Sequence, residues 1–342
     1  MAITLSILLG LIALWWALRF LPAGADGHGL MPYLIAFVRF LWIPSIIILA
    51  VALISRHWIV AVIAAILTIL TGVFASPWYR KLHHTSARQN PARQASQDKK
   101  IQNTDIPYTV MTLNCRYGHA DPQAIIDAVR NNDVSILALQ ELTPELVAAI
   151  DNAGMNESLP YRQFGKSKES DNGGFNAIFS RTEPDAQAGN AIDIAAADVP
   201  YCEINGVAVY SVHPKSPMRG CKEWSQGIRK LAELMPKSGS AIPQTASSAS
   251  SSEKAAHETI IMGDLNSNLD HPSFRKLSNA GFEDAGLTSS HTRSASFPQW
   301  LVWPRLELDH ILVTPGLATS NVHTLAIPGS DHFALLAQLR HL

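Results

Sequence analysis

At 342 residues the chain has room for one large domain or two ordinary ones, and its net charge of −1 averages two parts of opposite sign. Before residue 107, nine Lys or Arg stand against Asp26, Asp98 and Asp105, a net of +6; from residue 107 onward, 18 Lys or Arg stand against 25 Asp or Glu, a net of −7. The acidic part argues against non-specific nucleic-acid binding, which needs a basic surface for counterion release. Cys115, Cys202 and Cys221 lie at no zinc-binding spacing, and pairing of Cys202 with Cys221 stays open.

Residues 1–78 are predicted to be a transmembrane region. Residues 3–21 hold one charge, Arg19, near their end, and residues 58–77 hold none. About twenty apolar residues at roughly 1.5 Å rise cross a hydrocarbon core of about 30 Å. Residues 31–55 form a third apolar run, interrupted by Arg39, which is expected in the first turns with its side chain reaching the headgroups. Trp15, Trp16, Trp42, Trp58 and Trp78 fall mostly near the ends of these runs, as interfacial aromatics do. Ala23-Gly24-Ala25 resembles a signal cleavage site, but no Lys or Arg precedes the first run, so it reads as an anchor. Three spans, at about 3–21, 31–55 and 58–77, make this a multi-pass protein of the cell membrane. Six Lys or Arg between residues 79 and 106, opposed there by Asp98 and Asp105, place the C-terminal domain on the cytoplasmic side; Arg19 agrees and Arg56 does not.

Residues 79–106 read as a basic, flexible linker, either attracted to anionic headgroups or simply solvated. From residue 107 the pattern becomes α/β. Strands are expected at Tyr108–Leu113, Val134–Leu139, Phe175–Ser180, Val207–Val212, Thr259–Met262, Leu306–Val313 and Phe333–Leu339. Asp121-Pro122 and Thr143-Pro144 each open a helix with a side-chain cap followed by Pro at the first position. A helix fits Lys222–Leu234, and residues 236–257 are a Ser/Ala-rich low-complexity insertion.

The polar residues that succeed these apolar strands carry the chemistry. Asn114, Glu141, His213, Asp264 and Asn266 stand at or just past strand ends, Asn176 and Asp309 within strands, and Asp331-His332 opens the last one. Strands ending on one rim would gather these groups around one cleft. Carboxylates suit a hard cation such as Mg²⁺. Amides and imidazoles donate to phosphate oxygens as charge builds. A His paired with an Asp can orient or activate water. Singly, each has a plainer explanation: Glu141 as a solvated strand end, Asp264 as a turn former, His213 and His332 as buried core imidazoles.

In this order, the segments TLN (112–114), LALQEL (137–142), GGFNAIFSR (173–181), VYSVHP (209–214), IIMGDLNS (260–267), LELDHILV (306–313) and GSDHFAL (329–335) resemble the endonuclease/exonuclease/phosphatase superfamily, of a membrane-anchored bacterial type. This superfamily includes deoxyribonuclease I, exonuclease III-type enzymes and neutral sphingomyelinases. The resemblance covers residues 107–342 and implies a four-layer α/β sandwich, two mixed β-sheets flanked by helices. It implies that Glu141 is a metal ligand, with Asn114 beside metal and phosphate and Asp331 near the metal. His213 would contact phosphate, Asp264 and Asn266 would position water and phosphate, and Asp309 would pair with a catalytic His332. Asn176 is a further candidate for substrate contact. The implied cofactor is Mg²⁺, with Mn²⁺ as an alternative.

One departure matters. Arg116 stands where some abasic-site endonucleases carry an acid, which argues against that branch. His310 would face away from Asp309 and reads as structural. A calcineurin-type phosphoesterase, a serine hydrolase and a P-loop enzyme each lack their motifs here. A membrane-tethered binding module that kept the fold without catalysis is the alternative to an enzyme. The expected partners are the membrane and a phosphoester substrate, which could be a lipid, a nucleic acid or a small molecule. No obligate protein partner is expected.

Overall fold

Two mixed six-stranded sheets pack face to face in the computed structural model, which describes residues 1–76, 108–168, 174–236, 258–288 and 294–342. The expected linker at 79–106 lies outside the described residues, as does all of the 236–257 insertion except Pro236. Helices α1 (Ala2–Ala17), α2 (Met31–Ala36), α3 (Trp42–Ile54) and α4 (Trp58–Ala75) come first. Next come β1 (Tyr108–Asn114), α5 (Pro122–Asn131), β2 (Ile136–Leu142), α6 (Pro144–Asn152), α7 (Met155–Ser158), β3 (Tyr161–Phe164) and β4 (Phe175–Ser180). The second half holds β5 (Ala186–Ala188), β6 (Tyr201–Ile204), β7 (Val207–Val212), α8 (Cys221–Leu231), β8 (Glu258–Asp264), α9 (Pro272–Ala280), β9 (Glu283–Asp284), α10 (Ala285–Thr288), β10 (Asp309–Val313), β11 (Leu317–Ala326) and β12 (Phe333–His341).

The first sheet runs β11-β12-β1-β2-β4-β3 and the second β5-β6-β7-β8-β10-β9. Each has one parallel pair at its centre, β1 with β2 and β7 with β8, and antiparallel neighbours outside it. A parallel pair needs a crossover, and α5 and α8 lie in the two connections. Asp121 accepts from Ala124 N (2.8 Å) and Thr143 from Leu146 N (3.3 Å), capping α5 and α6. Central strands covered on both faces are apolar at most positions, and the buried polar exceptions satisfy one another: Thr112 Oγ1 donates to Gln140 Oε1 (3.2 Å) and Gln140 Nε2 to Ser211 Oγ (3.0 Å). Val110, Ile136, Ala138 and Ile178 of one sheet meet Val209, Ile260, Met262 and Ile311 of the other between the layers. Outside, Ile125, Val129 and Leu146 cover Leu113 and Leu139, while Trp224, Ile228, Phe274 and Leu277 cover Tyr210, Ile261 and Leu312.

Two N-terminal helices, Ala2–Phe20 and Trp58–Ala75, are long and apolar enough to cross a membrane. Met31–Phe40 and Trp42–Ile54 would make a third span together, but they are bent by 56°. Met1 Sδ accepts from Ser55 Oγ (3.6 Å) at one end of the bundle, and Trp16 meets Phe74 (5.2 Å) at the other. Thus α1 and α4 run parallel, with α3 returning between them.

The bend changes the reading of Arg39. It does not reach toward headgroups; its two terminal nitrogens grip both oxygens of Glu307, at 3.1 and 3.3 Å, and both side chains are largely buried. The forked guanidinium matches a carboxylate as it could not match scattered headgroup waters. Around it, the stretch between α1 and α3 docks on the α/β domain. Arg19 pairs with Asp270 at 3.0 Å. Asp26, fully buried, accepts from Ser273 N (2.8 Å) and Ser273 Oγ (2.6 Å). The N-terminus of α9 has no side-chain cap of its own, so Asp26 supplies it. His271 Nδ1 accepts from Asn268 N (3.0 Å), which leaves Nε2–H to donate to Pro32 O (2.8 Å); burial lowers its pKa and keeps the ring neutral. The domain is held by these contacts as well as by the covalent linker. Cys115, Cys202 and Cys221 are all free.

On β10, alternation turns His310 to the other face from Asp309. His310 Nδ1 meets Asp284 Oδ2 at 2.5 Å and Nε2 donates to Ser267 O at 2.8 Å. Burial alone would lower its pKa, but the Asp284 carboxylate and the hydrogen bonds raise it to about 9. A raised histidine contributes its full stability below its ordinary value near 6.5, and loses it as pH climbs through about 9. His310→Leu should leave Asp284 buried and unpaired, at a cost of about 3–5 kcal/mol. In denaturant titrations the wild type should lose stability between pH 6.5 and 9 more steeply than the variant; parallel slopes would refute the pair.

Candidate active site

The bottom of the site is a strained turn. Between Leu139 and Leu142 the pairing of β2 with β4 slips, and Glu141 takes a left-handed backbone (φ 53°). A bulge of this kind turns a side chain out of the alternation of its strand. Gly174 lies against it so closely that a Cβ there would sit 2.9 Å from Glu141 Cα. After β1, Arg116, Tyr117 and Gly118 are all left-handed too (φ 47°, 51° and 75°), and this turn points Tyr117 N at Glu141 Oε2, 3.0 Å away. Asn114 completes the grip. Its Nδ2 donates to Glu141 Oε1 (3.2 Å) and to Asp264 Oδ2 (3.0 Å), and its Oδ1 accepts from Arg116 N (2.9 Å).

The second sheet brings Asp264, Asn266 and His213. Gly263, paired with Val212, has a φ of 151°, and a Cβ there would meet Val212 O at 1.9 Å, so only glycine lets β8 end beside β7. Asp264 Oδ1 accepts from Asn266 N (2.8 Å). His213 Nε2 lies 3.7 Å from both Glu141 Oε1 and Asp264 Oδ2, and 3.4 Å from Asn266 Nδ2. Trp224 on α8 donates its indole N–H to the carbonyls of Leu265 (3.3 Å) and Asn266 (3.1 Å), fixing this loop from behind.

From the other edge, Asp309 Oδ2 holds His332 Nδ1 at 2.7 Å, which leaves Nε2 facing Asp264 Oδ2 at 3.6 Å. Ser330 Oγ donates to Asn114 O (2.7 Å) and accepts from His332 N (3.0 Å), tying the last motif to the first. Ser296 Oγ accepts from Asp309 N (3.1 Å), and the Phe297 ring packs on His332 at 4.8 Å.

Burial raises the pKa of Glu141 against the opposing pull of His213 and the Asn114 amide. Burial also raises Asp264, with His332 lowering it and Asp309 adding to the rise. For His332, burial lowers the pKa, but Asp309 and Asp264 outweigh it and bring it to about 10. Two acids that resist ionising, lined with hard oxygens, are what a divalent cation would relieve. Asp264, Asp309 and His332 also offer atoms within 4.8 Å of one another for a cation. In that cluster His332 Nδ1 is already hydrogen-bonded to Asp309, which leaves Nε2 as its open ligand atom.

Residues 111–332 match the model of the endonuclease/exonuclease/phosphatase family. The chain belongs to that family. Family members are phosphoester hydrolases, typically dependent on a divalent metal. A functionally unknown conserved protein from Enterococcus faecalis V583 is similar at 16% identity over 68% of this chain and 100% of its own, with a TM-score of 0.50. Humanized D. rerio TDP2 is similar at 15% identity over 68% of this chain and 98% of its own, also with a TM-score of 0.50. A mannosyl-6-phosphatase from Bacteroides thetaiotaomicron VPI-5482 is similar at 17% identity over 68% and 99%, with a TM-score of 0.48. At these identities the likeness is one of fold. No curated protein matches the chain.

Of the residues picked from the sequence, this family fold brings together Asn114, Glu141, His213, Asp264, Asn266, Asp309 and His332. Two stand apart. Asp331 faces Arg116 (3.9 Å) and, among the described residues, no hydrogen bond or ion pair joins it to Glu141. Asn176 is buried, donating to Asp198 O (2.9 Å), with no hydrogen-bond partner for its Oδ1 among the described residues. The supporting groups Ser330, Ser296, Trp224 and Tyr117 N–H escaped the sequence reading. Ser330 alone had a signal, its place in Ser330-Asp331-His332. Gly263→Ala should destabilise the domain by well over the roughly 1–2 kcal/mol that a left-handed φ alone costs. Gly206→Ala (φ 75°), where a Cβ meets open space, should cost only that much. Equal unfolding midpoints for the two variants would contradict the close approach of β7 and β8.

Proposed function

We propose that the chain is a membrane-anchored, Mg²⁺-dependent phosphoester hydrolase acting by attack of water on phosphorus. The Asp309–His332 pair, aimed at Asp264 inside a ring of amides and imidazoles, is the observation that supports it best. Glu141, oriented by Asn114 and Tyr117 N–H, would hold the metal; Mg²⁺ when bound supplies charge that neutralises the phosphate oxygens. Asp264 accepts from the attacking water; Asn266 N–H on Oδ1 and the Asn114 amide on Oδ2 hold its carboxylate so that Oδ2 faces His213 and His332. Asn266 Nδ2 and His213 Nε2 are the donors for the phosphate oxygens as charge grows on them. His332 donates Nδ1–H to Asp309, and the surrounding carboxylates, which bring its pKa to about 10, keep a second proton on Nε2, so the ring would face the phosphate as a cation. Asp331 is proposed as a residue of the rim that sets the position of Arg116, and Asn176 as a buried support for the stretch that carries Asp198.

Helices α1 and α4, with α3 between them, are proposed as three spans, so Met1 and the α/β domain lie on opposite faces of the membrane. The basic residues after the third span put the domain in the cytoplasm. Reporters fused at the two ends should report opposite sides; the same side for both would remove one span.

With the full chain in detergent, hydrolysis of bis(4-nitrophenyl) phosphate should depend on Mg²⁺ and stop with chelator. His332→Ala and Glu141→Gln should each lower kcat/KM by about 10²–10⁴-fold. Calorimetry should show Glu141→Gln binding Mg²⁺ at least tenfold more weakly while His332→Ala binds it normally. Metal binding without turnover on any phosphoester would make the chain a binding module.

A further inference from the structure

Among the described residues of the α/β domain, the exposed large apolar side chains are Met218, Leu342 and four in a row, Trp300, Leu301, Val302 and Trp303. Trp300 is 67% exposed, Val302 89% and Trp303 56%. Isolated apolar residues on a surface are ordinary; a contiguous tryptophan-flanked run marks a contact.

The place of this loop says what the contact is. The Trp303 ring meets Phe40 edge-on at 5.6 Å. Phe40 stands two residues before Trp42, the first residue of α3, and Phe37 and Trp42 are themselves exposed. The loop and the entry of α3 therefore form one continuous apolar surface, and Arg39–Glu307 locks them together four residues beyond Trp303. Tryptophans at the level where a span enters the bilayer are what the interface favours. The run from Gln299 to Pro304 contains no Lys or Arg, so it is a poor seat for a nucleic-acid backbone.

The same loop reaches the site. Trp300 packs on Phe297 (5.9 Å), Phe297 packs on His332 (4.8 Å), and Gln299 N donates to Asp331 O (2.7 Å). Near the same mouth, Arg219 lies over the Tyr117 ring at 5.5 Å, and Arg116 is about half exposed beside Asp331, the residue that Gln299 N bonds. The mouth thus joins an apolar edge, continuous with the N-terminal helices, to two arginines close by.

We propose that Trp300–Trp303 seats in the bilayer interface, and that the site takes the phosphoester headgroup of a lipid from the leaflet the domain rests on. This rests on the reading of the site as a phosphoester hydrolase and of α1, α3 and α4 as spans. The loop fixes the height of the cleft above the membrane, so a lipid phosphate meets Glu141 and His332 without leaving its leaflet.

The test uses the full chain in nanodiscs of phosphatidylcholine and phosphatidylglycerol. In a Cys221→Ser background, where Cys115 and Cys202 are buried, a nitroxide on Val302→Cys should collide more with oxygen than with an aqueous nickel chelate. A label more open to nickel overturns the seating, whether or not the protein hydrolyses anything. Val302→Asp should lower phospholipid hydrolysis in the nanodisc at least tenfold and leave bis(4-nitrophenyl) phosphate hydrolysis in detergent unchanged; Val302→Leu should restore lipid hydrolysis. Equal lipid hydrolysis by Val302→Asp and wild type overturns the proposal. Cleavage of soluble esters or nucleic acid with lipid untouched overturns the substrate class. Absence of turnover on every ester sinks the hydrolase reading instead, and the lipid assignment with it, while the nitroxide result still decides the seating.

Discussion

A carboxylate taken out of water must be met by donors from several directions, and Asp264 is where that requirement organises the site. It is almost fully buried, yet its two oxygens receive the Asn114 amide and Asn266 N–H, and the His213 and His332 rings lie within 3.7 Å. Those groups come from β1, the end of β8, the end of β7 and the start of β12, so neither sheet could satisfy Asp264 alone. The packing of the two sheets, driven by apolar burial, is what brings the donors within reach. The left-handed Glu141 and the close approach at Gly263 are local costs that the packed frame sustains.

Much of this was legible because burial leaves a mark on sequence. Strands such as Ile136–Leu142 and Glu258–Asp264, covered on both faces, are apolar through their middles, so a polar residue after an apolar run signalled the approach of a strand terminus at a cleft. Asp121 and Thr143 announced their helices because a cap is a chemical requirement of a helix start. Edge strands left no such mark. Tyr161–Phe164, Ala186–Ala188 and Leu317–Ala326 are half-buried or exposed along much of their length, so their sequences were free to look like loops. Ser296 was invisible for another reason: its role depends on which backbone N–H groups the fold places nearby.

The N-terminal part was legible as apolar helix and misleading at its charges. Arg39 inside an apolar run has two physical outlets, polar headgroups or a buried counter-ion, and only the fold reveals Glu307. The short α3 follows from that choice. At 13 residues it spans about 20 Å, because the residues before it turn aside to meet the α/β domain. The shift from basic to acidic composition near residue 107 marks a change of environment, whereas the structural seam lies elsewhere. Asp270, His271 and Ser273 of the domain find their partners at Arg19, Pro32 and Asp26.

The cap that Asp26 gives to α9 joins residues 247 positions apart. A ribosome makes the capping carboxylate long before it makes the helix that needs it. Helix α9 thus emerges with its first amides unmet and closes only against a template laid down earlier. Chain order gives this contact a direction: the carboxylate is made first, and the helix start that it caps is made later.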